Sequence, residues 1–64
     1  MQSLETYLQE NDGSRIIVHA GNQTVDTADV LSGLMLDVLK PKVVIFEEEI
    51  DGIKHVTVDP NQRV

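Results

Sequence analysis

The sequence contains no cysteine, so neither a disulfide nor thiolate-bound zinc can hold the fold together. Its 64 residues make one domain at most, and a domain of this size buries only about 60% of its unfolded surface. The only aromatic residues are Tyr7 and Phe46, so the core must come from Val, Ile and Leu. Small domains without covalent or metal supports often gain stability by associating with a partner.

The chain is acidic, with a formal net charge of −6. This charge opposes binding to nucleic acid and docking on an anionic membrane, because both require clustered Lys and Arg. The longest apolar run, 43-VVIF-46, is far shorter than the roughly 20 residues of a membrane span. The N-terminal segment lacks the positive region and apolar core of a secretory signal. These features predict a cytoplasmic protein with no membrane partner.

Local patterns predict one helix over residues 3–10 and strands over about 15–20, 43–49 and 53–59. Ser3 can cap the helix, and Gly13 suits the left-handed position after its end. The first strand is rich in β-branched residues. Gly21-Asn22 indicates a reversal that would pair 23–27 with that strand.

The fold class depends on the stretch 28-ADVLSGLMLDVL-39, whose apolar residues fit both a helix and a strand. As a helix it would carry an apolar stripe formed by Val30, Leu31, Leu34, Met35 and Val38. As a strand it would line one face with Val30, Leu34, Leu36 and Val38, with Ser32 among them, and would bend or bulge at Gly33. Gly33 costs a helix about 1 kcal/mol, whereas Leu and Met favour one, so local physics leaves both interpretations open.

The segment 46-FEEEIDGIKH-55 predicts a hairpin whose loop length sets the strand register. A two-residue loop would place Phe46 opposite Thr57 and leave both faces mixed. A three-residue loop, 50–52, would pair Phe46 with Val56, Val44 with Val58, and Glu48 with Lys54. This second register makes one face apolar and puts Gly52 at the left-handed position, so the sequence favours it.

The three consecutive glutamates then have an ordinary structural role. The cross-strand pair of Glu48 with Lys54 is worth only a few tenths of a kcal/mol, and charged residues on an exposed strand oppose edge-to-edge aggregation. Glu47 and His55 would give a metal two ligands, whereas zinc usually takes three or four from the protein. His19 would add a third only if its strand lay alongside. We therefore expect no metal and no cofactor.

No catalytic signature occurs in the sequence. A cysteine nucleophile is absent, and Ser3, Ser14 and Ser32 lie in no nucleophile-elbow motif. The four glycines are isolated, so they form no phosphate-binding loop. We therefore expect a protein that is not an enzyme and has no small-molecule substrate.

Residues 33-GLMLDVLKPKVVI-45 resemble the second and third strands of Sm-like small barrels, most closely short Sm-like domains of Bacillus-type proteins. The matching positions are Gly33, Met35, Asp37, Val38, Val43, Val44 and Ile45. The resemblance implies a bent, five-stranded antiparallel sheet behind an N-terminal helix, with 23–39 as one bent strand. It also implies that free barrel edges pair between subunits to form a ring or a dimer.

Two turns differ from those of Sm proteins that bind RNA. The first, 37-DVLKPK-42, lacks the family's asparagine, and the second, 59-DPNQ-62, lacks its basic residue. Neither turn has an aromatic residue that would stack on a base. Together with the acidic charge, these differences disfavour RNA as a partner.

The preferred fold is therefore mainly β, a small five-stranded Sm-like or SH3-like open barrel with a short N-terminal helix. The alternative is an α+β unit with a second helix at 28–39 and a three-stranded antiparallel sheet. In the alternative fold the ring is lost, but an interaction function remains.

The expected function is a non-enzymatic interaction module, which binds itself or a protein partner through strand edges. The candidate interface residues are Val56, Val58, Lys40 and Lys42. Two other functions fit the sequence. One is an RNA-binding Sm-like ring, and the other is an acidic inhibitor that imitates nucleic acid and occupies a basic groove.

Overall fold

A computed structural model describes all 64 residues of the chain. The helices are α1 (Leu4–Glu10) and α2 (Gly33–Leu39), and a 3₁₀ turn, Val30–Ser32, directly precedes α2. The strands are β1 (Ile16–Ala20), β2 (Gln23–Asp26), β3 (Lys42–Ile50) and β4 (Ile53–Arg63). The protein is therefore a small, strand-rich domain with two short helices.

The four strands form one mixed sheet in the order β2-β1-β4-β3. The hairpins β1–β2 and β3–β4 are antiparallel, whereas the central strands β1 and β4 run parallel. The sheet is open, with β2 and β3 as its free edges. The five-stranded antiparallel barrel implied by the resemblance is not confirmed.

Residues 23–39 do not form the single bent strand that the preferred sequence interpretation required. Strand β2 ends at Asp26, and the carboxylate of Asp29 caps the following 3₁₀ turn by accepting the Leu31 N–H at 2.9 Å. Gly33 has ordinary helical dihedrals, φ −54° and ψ −47°, so the chain continues into α2. The alternative interpretation correctly placed a helix here. However, it predicted three antiparallel strands, whereas the sheet has four strands and is mixed.

One face of the sheet packs against both helices to form the core. The buried strand residues are Ile16, Val18, Ala20, Val25, Val56 and Val58, and the buried helix residues are Leu4, Tyr7 and Leu39. Along β1, buried residues alternate with half-buried ones, as expected when only one face of a sheet is covered. The core is aliphatic apart from Tyr7, as the composition predicted.

The β3–β4 hairpin closes through two residues, Asp51 and Gly52, so the predicted three-residue loop is wrong. Ile50 pairs directly with Ile53 across the loop. Asp51 has φ 53° and Gly52 has φ 80°, and positive φ at both central residues is the requirement of a type I′ turn. The preference of the Asp-Gly pair for this turn overrides the apolar pattern near the hairpin tip.

A register shift in β3 then reconciles the turn with the core. Near the tip, the cross-strand pairs are Phe46 with Thr57, Glu47 with Val56, Glu48 with His55 and Glu49 with Lys54. A bulge at Ile45 moves the pairing by one residue, so Val44 meets Val58 as predicted. The predicted register is therefore wrong beyond the bulge and correct before it.

Candidate functional site

Two of the four predicted interface residues lie inside the protein. Val56 and Val58 are 0% and 1% exposed and belong to the core. Their strand, β4, is paired on both sides, with β1 and with β3, so it offers no free edge. These valines are therefore core residues rather than surface contacts. Lys40 and Lys42 are both half-buried, and the Lys40 Nζ lies 3.2 Å from the Asp37 carboxylate.

The most prominent exposed apolar surface lies on the 3₁₀ turn and α2. We call it the 30–38 apolar face, and it consists of Val30, Leu31, Leu34, Met35 and Val38. Val30, Leu31 and Leu34 are 94%, 86% and 84% exposed. Residues three and four apart are neighbours on a helix, so these side chains form one patch. Contiguous apolar patches of this kind mark interaction sites, unlike single exposed apolar residues.

Both sides of α2 are apolar, which explains why folding leaves this patch uncovered. Leu39 is buried in the core and Leu36 packs against it, so the opposite side of the helix must face outward. The polar residues of the segment are too few to give α2 a solvated face, since Asp37 is the only charged residue within the helix. A helix that is apolar all round is normally buried on all sides.

The 30–38 apolar face has opposite charges at its two ends. Asp29 immediately precedes the 3₁₀ turn, and Lys40 and Lys42 follow the end of α2. The one salt bridge in this segment, between Lys40 and Asp37, is largely exposed. The segment is therefore acidic at its start and basic at its end.

Asp26 fixes the point where the chain leaves the sheet toward this segment. Its carboxylate accepts the Ala28 N–H at 3.0 Å and forms a salt bridge with the Arg15 guanidinium at 2.9 Å. These contacts lower the pKa of Asp26, first through the Ala28 amide and then through the hydrogen bond from Arg15. Nearby, the Thr27 hydroxyl donates to the Ile16 carbonyl at 2.8 Å, which ties the same loop to β1.

Strand β3 offers a free edge beyond Val44, since Ser3 bridges Val43 and the Gln2 carbonyl accepts the Val44 N–H, but the side chains of this edge oppose pairing with a second copy. Ile45, Phe46 and Ile50 are exposed along it, and three glutamates, 47–49, interrupt them. Two β3 edges in register would bring these carboxylates together, and like charges facing each other destabilise a strand pair. The structure therefore favours the helix over the strand edge as a surface for self-association.

The parallel pairing of β1 with β4 brings His19 and His55 together on the sheet face opposite the core. The His19 Nε2 lies 3.0 Å from the His55 Nδ1, and the rings stack at 5.3 Å between centroids. His19 could add a third metal ligand only if its strand lay beside that of His55, and the two strands do pair. However, the residue opposite His55 is Glu48 and not the predicted ligand Glu47. No group of three or more His, Cys, Asp or Glu side chains is arranged to hold a metal ion.

Two cavities open on the surface, and neither contains a histidine. The larger, of about 580 Å³, lies between α1, the following loop and α2, and its lining includes Leu8, Gln9, Ser14 and Leu36. The smaller, of about 260 Å³, lies between α1 and the hairpin tip, and four of its eight lining residues are glutamates.

Comparison with protein-family models, curated proteins and solved structures gives no match for this chain. Neither helix has the length and apolar composition needed to cross a membrane. The function must therefore be inferred from the surfaces described above.

Proposed function

We propose that the protein is a non-enzymatic interaction module whose partner is a second copy of itself, bound through the 30–38 apolar face. The observation that carries the proposal is the near-complete exposure of Val30, Leu31 and Leu34 side by side. The proposed contact is thus a helix face, in place of the strand edges expected from the sequence.

The size of the core supports a second copy as the occupant. Only 11 of the 64 residues are buried, and nine of these form the main apolar cluster. A single core in so short a chain rarely supplies more than about 3–5 kcal/mol of stability. A two-fold dimer buries the same patch on both subunits, so the total apolar area buried is twice the area of one face. Association would therefore add buried apolar surface to a chain whose own core is small.

The charges at the ends of the face also favour a second copy. If two α2 helices pack antiparallel, Asp29 of each chain approaches the Lys40 and Lys42 end of the other. The two helix dipoles then also oppose each other favourably. The net charge of −6 on each chain works against association, but salt screens it over about 8 Å at physiological ionic strength.

The test is the molar mass in solution, measured by light scattering over a concentration series. One chain weighs 7.1 kDa, so a dimer of the wild type should approach about 14 kDa. Leu34→Lys places a charge in the apolar face and should stay at the monomer mass. Gln9→Lys, on the exposed side of α1, makes the same charge change outside the face and should dimerise like the wild type.

Either of two results would count against the proposal. One is a wild type that remains monomeric up to millimolar concentration. The other is a Leu34→Lys variant that associates as strongly as the wild type. Circular dichroism of each variant shows that any loss of association comes without loss of fold.

A further inference from the structure

The smaller cavity is a strongly acidic groove between α1 and the hairpin tip. Its lining residues include Glu10, Glu47, Glu48 and Glu49 and one cation, Lys54. Glu48 pairs with His55 on the opposite face of the sheet, so three carboxylates and one ammonium leave a formal charge of −2 on the groove. We call this cavity the acidic groove.

Nothing within the chain neutralises the glutamates of β3. The Lys54 Nζ donates to the Asn11 side-chain oxygen at 2.5 Å and forms no salt bridge, although Glu49 lies opposite it across the strands. The two salt bridges of the protein are elsewhere, at Arg15–Asp26 and Lys40–Asp37. The groove therefore holds carboxylates that are free to accept hydrogen bonds from a cation.

A second, independent feature of the groove is the side chain of Tyr7. The residue is only 5% exposed and lines the groove, and its hydroxyl makes no hydrogen bond within the protein. Burial raises the pKa of Tyr7, and the charges of Glu47 and Glu49 raise it further. A neutral phenol can both donate and accept a hydrogen bond.

We infer that the acidic groove binds the guanidinium group of an arginine side chain presented by a basic protein partner. A guanidinium carries five N–H donors in a planar fork, which suits several carboxylates and a phenol oxygen. A metal ion suits the groove less well, because no three acidic side chains converge in metal-binding geometry. The site lies apart from the 30–38 apolar face, so this inference does not depend on self-association.

Tyr7 is itself the reporter for the experiment. It is the only tyrosine, and the chain has no tryptophan, so emission excited near 280 nm comes from the groove alone. Titration with a tri-arginine peptide should change Tyr7 emission in a saturable way. The bound cation should also lower the pKa of Tyr7, which an absorbance titration of the phenolate measures, because positive charge favours the ionised form.

Variants distinguish a specific binding site from general electrostatic attraction to an acidic protein. Glu47→Gln with Glu49→Gln should weaken tri-arginine binding about tenfold, because two charge-assisted hydrogen bonds are lost. Glu5→Gln with Asp12→Asn makes the same change in net charge on exposed residues outside the groove and should leave binding within about twofold.

Tri-lysine in place of tri-arginine tests the chemistry of the ligand. It should bind several-fold more weakly, because an ammonium cannot make bidentate contacts. Equal binding of the two peptides, equal weakening by the two pairs of variants, or no saturable response of Tyr7 would overturn the inference.

Discussion

The Nε2 atom of His19 lies 3.0 Å from the Nδ1 atom of His55, where the two central parallel strands meet on the uncovered face of the sheet. One of these nitrogens must carry a proton and the other must keep its lone pair for a hydrogen bond to form. When both rings are charged, no acceptor remains and like charges stack. This contact therefore supports the β1–β4 register only while at least one ring is neutral.

A double-mutant cycle tests this contact. His19→Ala, His55→Ala and the double variant should give a coupling free energy of about 0.5–1.5 kcal/mol. Urea denaturation at one fixed protein concentration measures it. A coupling free energy near zero would show that the two rings lie side by side without a stabilising hydrogen bond.

Replacement of Gly52 and of Gly33 by alanine should change the free energy of unfolding in opposite directions. Gly52→Ala places a side chain at φ 80° in the type I′ turn and should cost about 1–2 kcal/mol. Gly33 has helical dihedrals, and an added Cβ would have no atom within 4 Å apart from its chain neighbours and its own helix backbone, so Gly33→Ala should stabilise the protein by about 0.5–1 kcal/mol. Urea denaturation of both variants checks the signs. Destabilisation by Gly33→Ala would contradict the helical conformation there.

The β3–β4 hairpin shows why its register could be predicted only in part. The apolar alternation correctly paired Val44 with Val58, and Asp51-Gly52 signalled a tight turn. The apolar alternation and the two-residue turn require strand registers that differ by one residue. A bulge must make up this difference, and its position cannot be predicted from the sequence. The structure places that bulge at Ile45, so both signals are satisfied, each on its own side.

The helix at Gly33–Leu39 and its surface show a different limit. The alternative, helical interpretation of 28–39 contained the stripe that became the 30–38 apolar face, but it did not show whether that stripe would face the core. Its orientation depends on Leu39 and Leu36, which contact the core instead. Strands β1 and β4 are far apart in the sequence, so no local pattern predicts that they pair in parallel. The contact of His19 with His55 and the burial of Val56 both depend on that pairing. Local propensity predicted α1, β1 and the strands of the β3–β4 hairpin but left 28–39 open, and tertiary packing decided which residues reach the surface.

Val56 and Val30 should differ sharply in their response to truncation, because one is buried and the other is 94% exposed. Val56→Ala should cost about 2 kcal/mol through lost burial and a residual cavity. Val30→Ala should change the stability of the monomer by less than about 0.5 kcal/mol. Denaturation in the Leu34→Lys background removes any contribution from association. A near-neutral Val56→Ala would contradict its place in the core.

Asp26 should titrate below its ordinary pKa of 3.8, because the Ala28 amide and the Arg15 guanidinium stabilise the carboxylate. A lowered pKa in the folded state means that this stabilisation is present above about pH 3.8 and is lost as the pH falls through the lower, folded pKa. Carboxyl carbon shifts in an NMR titration give the value directly. In Arg15→Gln the pKa should rise only part of the way, since the larger cause, the Ala28 amide, remains. A wild-type pKa at or above the ordinary value would contradict these contacts.

The central claim, that two copies meet through the 30–38 apolar face, is tested most directly by isotope-filtered nuclear Overhauser spectra. Carbon-13-labelled and unlabelled chains are mixed, so that only contacts between different chains are detected. Dimerisation through this face predicts contacts between the Leu34 methyl groups of one chain and Val30, Leu31 or Val38 of the other. Contacts confined to the β3 edge, Lys42–Ile50, or none at a concentration where light scattering shows a dimer, would contradict it.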